Sequence, residues 1–179
     1  MLNCRAIILI LFATLMLAGC GRNSTISLSK FSELIESELD EINLTIYYSG
    51  FSFRTSFNWS LEHFIEVEHD YRFVITGKEL AEHRDLLNQL ASVELVPSKS
   101  NSFVDARLYY VFEHAEYGEI FSFLTYVLGG GAGNFDFVLV NGQQVMGNRI
   151  LFEAIFPFLP ERIVNEIQVN IDAWPPGGE

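Results

Sequence analysis

Residues 103–113 alternate between apolar and polar side chains with a period of two, and this pattern predicts a β-strand. Consecutive side chains of a strand point to opposite faces of its sheet. One face would therefore be apolar and the other largely polar, with the side chains divided as Val104, Ala106, Leu108, Tyr110 and Phe112 against Asp105, Arg107, Tyr109 and Glu113. We expect this strand to be half buried.

Further strand patterns follow at short intervals and predict an antiparallel meander. Residues 119–128 and 135–140 are rich in β-branched and aromatic side chains, and residues 143–146 would form a return strand. Asn141-Gly142 separates the last two segments, and this pair is typical of a type I′ hairpin turn because both central residues need a positive φ. The second half thus predicts three to four or more antiparallel strands.

The first half of the chain combines helical and strand patterns. Apolar residues at steps of three and four predict an amphipathic helix over residues 29–42. Thr76 and Glu79 have the spacing of a capping box, which predicts a helix from there to about Ser92. We therefore expect an α+β fold in one domain over residues 29–171, with the antiparallel meander packed against two to three amphipathic helices. The remaining predictions are strands over 44–48 and 71–76, a short helix over 60–67, a loop over 95–102, and a helical stripe over 150–159 that is bent or restarted by Pro157.

The N-terminal segment has the parts of an export signal. Arg5 precedes an uncharged run over residues 6–19, and Leu17-Ala18-Gly19-Cys20 closes this segment. This tetrapeptide resembles the lipobox of bacterial lipoproteins, in which a peptidase cuts before a cysteine that carries diacylglycerol. The alternative is a transmembrane anchor. As a helix, however, the uncharged run would reach about 21 Å, less than the hydrocarbon core of about 30 Å.

The resemblance implies a location and an anchor. Residues 1–19 would be the signal peptide, Cys20 the lipidated residue, residues 20–28 a flexible tether, and residues 172–179 a disordered tail. The protein would then lie on the extracytoplasmic face of a bacterial cell membrane, attached through its diacylglyceryl cysteine. Its general layout is also similar to that of small uncharacterised lipoproteins of Gram-positive bacteria, which implies no residue roles.

Cysteine content and charge exclude several classes of function. Cys4 and Cys20 are the only cysteines, so the predicted domain would contain no disulfide, no cysteine nucleophile and no thiolate metal site. The chain has 23 acidic and 11 basic side chains and a net charge of −12. Nucleic-acid binding depends on basic contacts to phosphates, so we expect no nucleic-acid partner.

One cluster of metal-capable side chains lies in the middle of the chain. His63 and Glu66 are three residues apart and would share a face of a helix, and His69 and Asp70 follow closely. Imidazole and carboxylate ligands would suit Zn²⁺ or Mn²⁺, so a small metal-assisted hydrolase is one hypothesis. The His-Glu-x-x-His arrangement is missing, however, and acidic surface helices with stray histidines are common. We therefore assign no catalytic residue and expect no cofactor.

The other hypothesis is a binding or interaction module, with a protein or a cell-envelope component as its partner. Alternation over residues 51–59 predicts an aromatic face that consists of Phe51, Phe53, Phe57 and Trp59. Gly130 and Gly131 belong to a glycine run between two predicted strands. That run lacks the Lys and Ser/Thr of a phosphate-binding loop, but it would let a partner approach the backbone closely. We therefore predict these six residues as partner contacts.

Overall fold

The computed structural model describes residues 28–50, 61–98, 105–127 and 137–172, and in this part the chain forms an α+β fold. The helices are α1 (Ser29–Ser37), α2 (Leu61–His63), α3 (Gly77–Ala81), α4 (Arg84–Ala91), α5 (Ile150–Glu153) and α6 (Glu161–Asp172). A π-helical turn over Phe64–Glu68 continues α2, and 3₁₀ turns lie at Leu39–Glu41 and Phe156–Phe158. The strands are β1 (Ile42–Tyr48), β2 (Tyr71–Thr76), β3 (Asp105–His114), β4 (Gly118–Val127), β5 (Phe137–Val140) and β6 (Gln143–Met146).

The strands form a six-stranded sheet in the order β2-β1-β3-β4-β5-β6. Every neighbouring pair is antiparallel, and strands β3 to β6 follow one another as the predicted meander. β1 lies between β2 and β3, so the first half of the chain extends the sheet that the second half builds. The predicted α+β class, with helices packed against an antiparallel meander, is confirmed.

The turn between β5 and β6 has the backbone geometry that the sequence predicts. Asn141 has φ 49° and Gly142 has φ 70°, which is the left-handed region that an Asn-Gly pair adopts at low cost. The side chain of Asn141 has a second function, because its Oδ1 accepts a hydrogen bond from the backbone N of Ser122 at 2.8 Å. The backbone N of Asn141 donates to the carbonyl oxygen of Ser122 at 2.9 Å. These two bonds connect the hairpin turn to β4.

One face of the sheet carries the main hydrophobic core. Helices α1, α3, α4, α5 and α6 all place buried apolar side chains against it. Phe31 of α1 lies at its centre, with its ring 4.9 Å from the ring of Phe112 and 4.8 Å from that of Phe121. Tyr110 is also fully buried, and its hydroxyl donates to the carbonyl oxygen of Leu151 at 2.7 Å. This bond satisfies a polar atom that would otherwise be costly to bury.

The prediction that β3 is half buried is wrong, because its second face is also covered. Tyr109 and Val111 on that face are each 7% exposed and pack with Phe64 from the helical segment after α2. A bulge between residues 106 and 108 leaves Arg107 as the extra residue of β3, so Ala106 joins the second core. Arg107, which we placed on the polar face, is fully buried.

Two predicted helices are divided by tertiary contacts. The helix predicted over residues 29–42 ends at Ser37, since Ile42 already pairs with His114 as the first residue of β1. The helix predicted from Thr76 to Ser92 is interrupted after α3 and restarts at Arg84. The capping box at its start is confirmed, and the hydrogen bonds from Thr76 lower the pKa of the Glu79 carboxyl.

The structure also contains ordered elements that the sequence analysis did not assign. Helix α6 buries Ile163, Ile167 and Ile171 along one side. It includes Asp172, the residue at which we placed the start of the tail. The segment predicted as a loop over 95–102 is partly extended, because Pro97 forms an antiparallel bridge with Val145 of β6. In the described ranges, none of the helices is both long and apolar enough to cross a membrane.

Candidate functional site

A surface cavity of about 330 Å³ lies where β1 ends and β2 begins. Helix α6 forms its opposite wall, so the cavity combines elements that are distant in the sequence. Five of its seven lining residues carry polar, charged or aromatic side chains. The lining residues are Tyr48, Gly50, Asp70, Tyr71, Arg162, Ile163 and Glu166.

Asp70 is held in place at the start of β2 by the chain that leaves β1. Its Oδ2 accepts hydrogen bonds from the hydroxyl of Ser49 at 2.8 Å and from the backbone N of Gly50 at 3.3 Å. Its own backbone N donates to the carbonyl oxygen of Tyr48 at 3.0 Å. These bonds fix one exposed carboxylate in the cavity wall, while its second oxygen can accept a bond from a ligand.

Arg162 of α6 and Tyr71 of β2 form a pair in the lining of the cavity. The Nη2 of Arg162 donates a hydrogen bond to the hydroxyl of Tyr71, and the guanidinium carbon lies 5.2 Å from the centre of the Tyr71 ring. The rings of Phe73 and Tyr48 lie 6.2 Å and 6.3 Å from that of Tyr71. An arginine held against an aromatic ring is preorganised, so less side-chain entropy is lost when its remaining N–H groups bind a ligand.

Arg107 brings a second cation to this end of the sheet. Its Nη1 donates to the carbonyl oxygen of Gly50 at 3.3 Å, and its own carbonyl oxygen accepts from the backbone N of Ser49 at 2.9 Å. The bulge in β3 directs this side chain inward, so it supports the chain segment that positions Asp70. Arg107, which is buried, therefore stabilises the wall of the cavity through the Ser49–Gly50 segment.

The strongest pKa shifts lie in the core and not at the cavity. Burial raises the pKa of Tyr110 well above its ordinary value of 10.0. Burial, together with the nearby carboxylates of Glu119 and Glu113, also raises the pKa of Tyr109. Both phenols are part of the packed sheet, so these shifts reflect burial and do not identify a catalytic acid or base.

The four metal candidates do not converge. A group of three or more His, Cys, Asp or Glu side chains that could hold a metal ion is not found among the described residues. The Nδ1 of His69 donates to the carbonyl oxygen of Phe64 at 3.2 Å, and its ring lies edge-on to Tyr47 at 5.1 Å. Asp70, in contrast, contacts Ser49 and Gly50, because consecutive side chains of extended backbone point in opposite directions.

The other two candidates lie in the helical segment before β2. His63 is the last residue of α2, and Glu66 lies in the π-helical turn that begins directly after it. Both side chains are exposed. The metal-assisted hydrolase therefore gains no geometric support from the described residues.

His114, the last residue of β3, is buried at the β3–β4 turn. It is 4% exposed, and its Nδ1 accepts a hydrogen bond from the backbone N of Glu116 at 3.1 Å. Its Nε2 faces the carboxylate of Glu38 at 3.2 Å, and Tyr117 stacks on the ring at 4.8 Å. These contacts join the end of α1 to the β3–β4 turn, which is a structural role.

A second cavity of about 370 Å³ lies at the break between α3 and α4. Its main cation is already engaged in the fold, since Nη1 of Arg84 donates to the carbonyl oxygens of Ile35 at 2.8 Å and Glu36 at 3.2 Å. A cation is favourable there because these carbonyls lie at the negative end of α1. This geometry favours the first cavity as the candidate binding site.

The predicted lipidation and contact residues lie outside the described residues. This applies to Cys20 and to all six predicted contacts, which are Phe51, Phe53, Phe57, Trp59, Gly130 and Gly131. Gly50 directly precedes residues 51–60, and Val127 and Phe137 flank residues 128–136. All three lie at the end of the sheet where the cavity is also found. Residues 51–60 thus follow directly on a residue of the cavity lining, whereas Val127 and Phe137 lie two and three strands away from β1.

Comparison of the chain with protein-family models, with curated proteins and with solved structures finds no match. Among the cavity residues, the sequence analysis singled out only Asp70, and it did so as a metal candidate. Arg162 lies on a helix that we did not predict. The four-residue spacing of Ile163, Ile167 and Ile171 is the signal that could have identified that helix.

Proposed function

We propose that this chain is a membrane-anchored extracytoplasmic bacterial lipoprotein whose α+β domain is a binding module. Its partner is a protein or a component of the cell envelope, and the cavity between β2 and α6 is the contact site. The observation that supports the binding role most directly is the pair formed by Arg162 and Tyr71, which lines the same cavity as the fixed carboxylate of Asp70.

The chemistry of the cavity favours recognition over catalysis. A partner that enters it meets a guanidinium with further N–H donors and a carboxylate acceptor. The exposed ring of Tyr71 adds apolar surface, and binding sites usually combine such surface with a few polar groups. A partner with both a hydrogen-bond acceptor and a donor, such as a polar peptide segment, would fit these groups.

One of the two segments with predicted contacts begins directly beside the cavity. Gly50 is a lining residue, and the predicted aromatic segment begins with the next residue of the chain. Val127 and Phe137 border the predicted glycine run at the same end of the sheet. A partner bound at the cavity would therefore lie next to the point where the aromatic segment is attached, and it would reach the glycine run only by extending along the sheet across two to three strands.

We expect the Cys20→Ala variant to be lost from the membrane fraction, because it removes the sulfur that would carry the lipid. The measurement is cell fractionation followed by detection of the full chain with an antibody. Cys4→Ala is the matched control, since it removes the other thiol and leaves the tetrapeptide intact. The anchor proposal fails if Cys20→Ala remains in the membrane fraction with unchanged mobility, or if both variants are lost equally.

We expect Arg162→Gln to weaken partner capture on the order of tenfold, since a hydrogen bond to a charged group contributes about 1.5–3 kcal/mol when it is well formed. The measurement is the yield of crosslinked partner recovered with the full chain from intact cells. Arg149→Gln is the control: it removes the same charge, but Arg149 binds Glu153 of α5 and Asp172 at the far end of α6. Equal losses in both variants, or no loss in either, would contradict a contact at the cavity.

A further inference from the structure

The two edges of the sheet differ in how they are covered. The outer edge of β6 is paired with residues 96–98. Pro97 forms a bridge with Val145, and the backbone N of Ser98 donates to the carbonyl oxygen of Gln144 at 3.0 Å. The backbone N of Met146 donates to the carbonyl oxygen of Val96 at 2.9 Å. β2 forms the other edge, and no strand of the described part of the chain pairs with its outer side. An unpaired edge offers backbone donors and acceptors to a further strand.

The register of the sheet identifies the backbone groups that are available on this edge. Odd-numbered residues of β1 direct their backbone groups toward β3, as the bond from Ser49 N to Arg107 O at 2.9 Å shows. Since these directions alternate along an antiparallel strand, even-numbered residues of β1 face β2, where they pair with Tyr71, Phe73 and Ile75. The N–H and C=O groups of Arg72 and Val74 therefore point outward.

The open stretch is short and has defined ends. The next outward N–H group would be that of Thr76, but it already donates to Oε2 of Glu79 at 2.8 Å in the capping box that starts α3. Four backbone groups thus remain, one donor and one acceptor on each of Arg72 and Val74. This set is complementary to itself under a two-fold rotation, because each donor of one copy meets an acceptor of the other.

We propose that β2 pairs with β2 of a second copy of this chain, antiparallel and with Phe73 on the two-fold axis. Arg72 of each copy then lies opposite Val74 of the other, and the two pairs exchange four backbone hydrogen bonds. The register is determined by the open groups, since a shift that places Val74 opposite Val74 would need the N–H of Thr76, which Glu79 occupies.

The side chains of β2 fit this register. Phe73 meets its own equivalent and Tyr71 lies opposite Ile75, so one face of the junction gains aromatic and β-branched cross-strand pairs. On the other face, the aliphatic part of Arg72 would cover Val74, which is 52% exposed in the single chain. The two copies together would form one continuous sheet. Because only a short strand is involved, the dimer is weak and depends on concentration.

Disulfide trapping in the full chain tests the register. Phe73→Cys places two thiols on the axis, where directly opposite Cα atoms are about 4.5 Å apart and can form a disulfide. Val74→Cys is the matched control, because in this register the two Val74 positions are diagonal neighbours at about 7–8 Å, too far to bridge without backbone movement. We expect on the order of tenfold more disulfide-linked homodimer for Phe73→Cys, although Val74 is more exposed. The parent chain measures any background from Cys4 and Cys20.

A proline substitution tests the pairing between two copies without removing a hydrogen bond of the single chain's own sheet. The N–H of Val74 points away from β1, so Val74→Pro removes no bond of the sheet itself, and proline is tolerated on such edge positions. Combined with Phe73→Cys, it should abolish the trapped homodimer, whereas Val74→Ala in the same background should leave most of it. The proposal is overturned if Val74→Cys traps as much dimer as Phe73→Cys, or if neither variant traps any. It is also overturned if Phe73→Cys links to a different protein, or if Val74→Pro does not reduce the trapped homodimer.

The pairing of β2 with a second copy does not depend on the anchor or the cavity proposed above.

Discussion

Replacing Gly77 with alanine should reduce the stability of the folded chain by about 3 kcal/mol or more, the largest effect that we expect from any single-methyl addition. Gly77 is the buried first residue of α3. A Cβ at this position would lie 2.2 Å from the carbonyl oxygen of Leu39, 2.6 Å from the Cα of Asp40 and 2.8 Å from its carbonyl carbon. All three are backbone atoms, so no side-chain rotation can relieve the clash.

The relief of this clash would require α3 to move away from the 3₁₀ turn between α1 and β1. That turn and the start of α3 lie at the end of the β1–β2 pair, where Asn43 pairs with Thr76. Since a domain of this size has a total stability of about 5–15 kcal/mol, the substitution would remove a large fraction of it.

Urea unfolding of the full chain, followed by tryptophan fluorescence, measures this effect. Gly142→Ala is the control, because Gly142 has φ 70° but a methyl group added to it would meet no heavy atom within 4 Å. Its cost should be about 1–2 kcal/mol, which is the penalty of a left-handed conformation for a residue with a side chain. If Gly77→Ala costs no more than Gly142→Ala, the close approach of α3 to the turn is wrong.

Replacing Phe31 with alanine should cost about 3–5 kcal/mol, the usual range when a buried phenylalanine is truncated. Phe31 is 1% exposed, and its ring lies 4.9 Å from that of Phe112 of β3 and 4.8 Å from that of Phe121 of β4. Truncation therefore leaves a cavity between α1 and the two central strands. The sheet cannot close this cavity, since its strands are fixed by their hydrogen bonds.

The same unfolding measurement applies, with two further variants as controls. Phe31→Leu keeps most of the buried volume and should cost less than half as much as Phe31→Ala. Val169→Ala removes an apolar group from α6 that is 69% exposed, and it should change stability by no more than about 0.5 kcal/mol. A Phe31→Ala effect as small as that of Val169→Ala would mean that α1 does not pack on the sheet.

The predictions that succeeded depend on interactions between residues close in sequence. Asn141 and Gly142 form their turn because each can adopt a positive φ by itself. Glu79 accepts hydrogen bonds from Thr76, three residues earlier, and this contact lies within one helical turn. The strands of the meander follow one another through short connections, so their pairing could also be inferred from order along the chain.

The predictions that failed depend on partners distant in sequence. The alternation in β3 shows which side chains share a face, but it does not show that residues after α2 cover the second face. Arg107 appears in the sequence as a polar-face residue, but it is buried at a bulge and donates to the carbonyl oxygen of Gly50, which is 57 positions away in the chain. Likewise, Ile42 continues the helical spacing of α1, yet its pairing with His114 makes it a strand residue.

For the candidate site, the sequence supplied individual residues and the fold supplied their grouping. Asp70 was noted for its carboxylate together with His63, Glu66 and His69, but in the described residues no three such side chains form a group that could hold a metal ion, and Asp70 and His69 have different hydrogen-bond partners. Tyr71 and Arg162 were not connected at all, because they are 91 positions apart in the chain. The sequence by itself determined the strand meander, its turn, the capping box and the class of fold, since short-range backbone preferences and periodicity specify them. Only the tertiary structure decided which faces are buried, where helices end and which polar groups meet at the cavity, because those outcomes depend on contacts that no local pattern encodes.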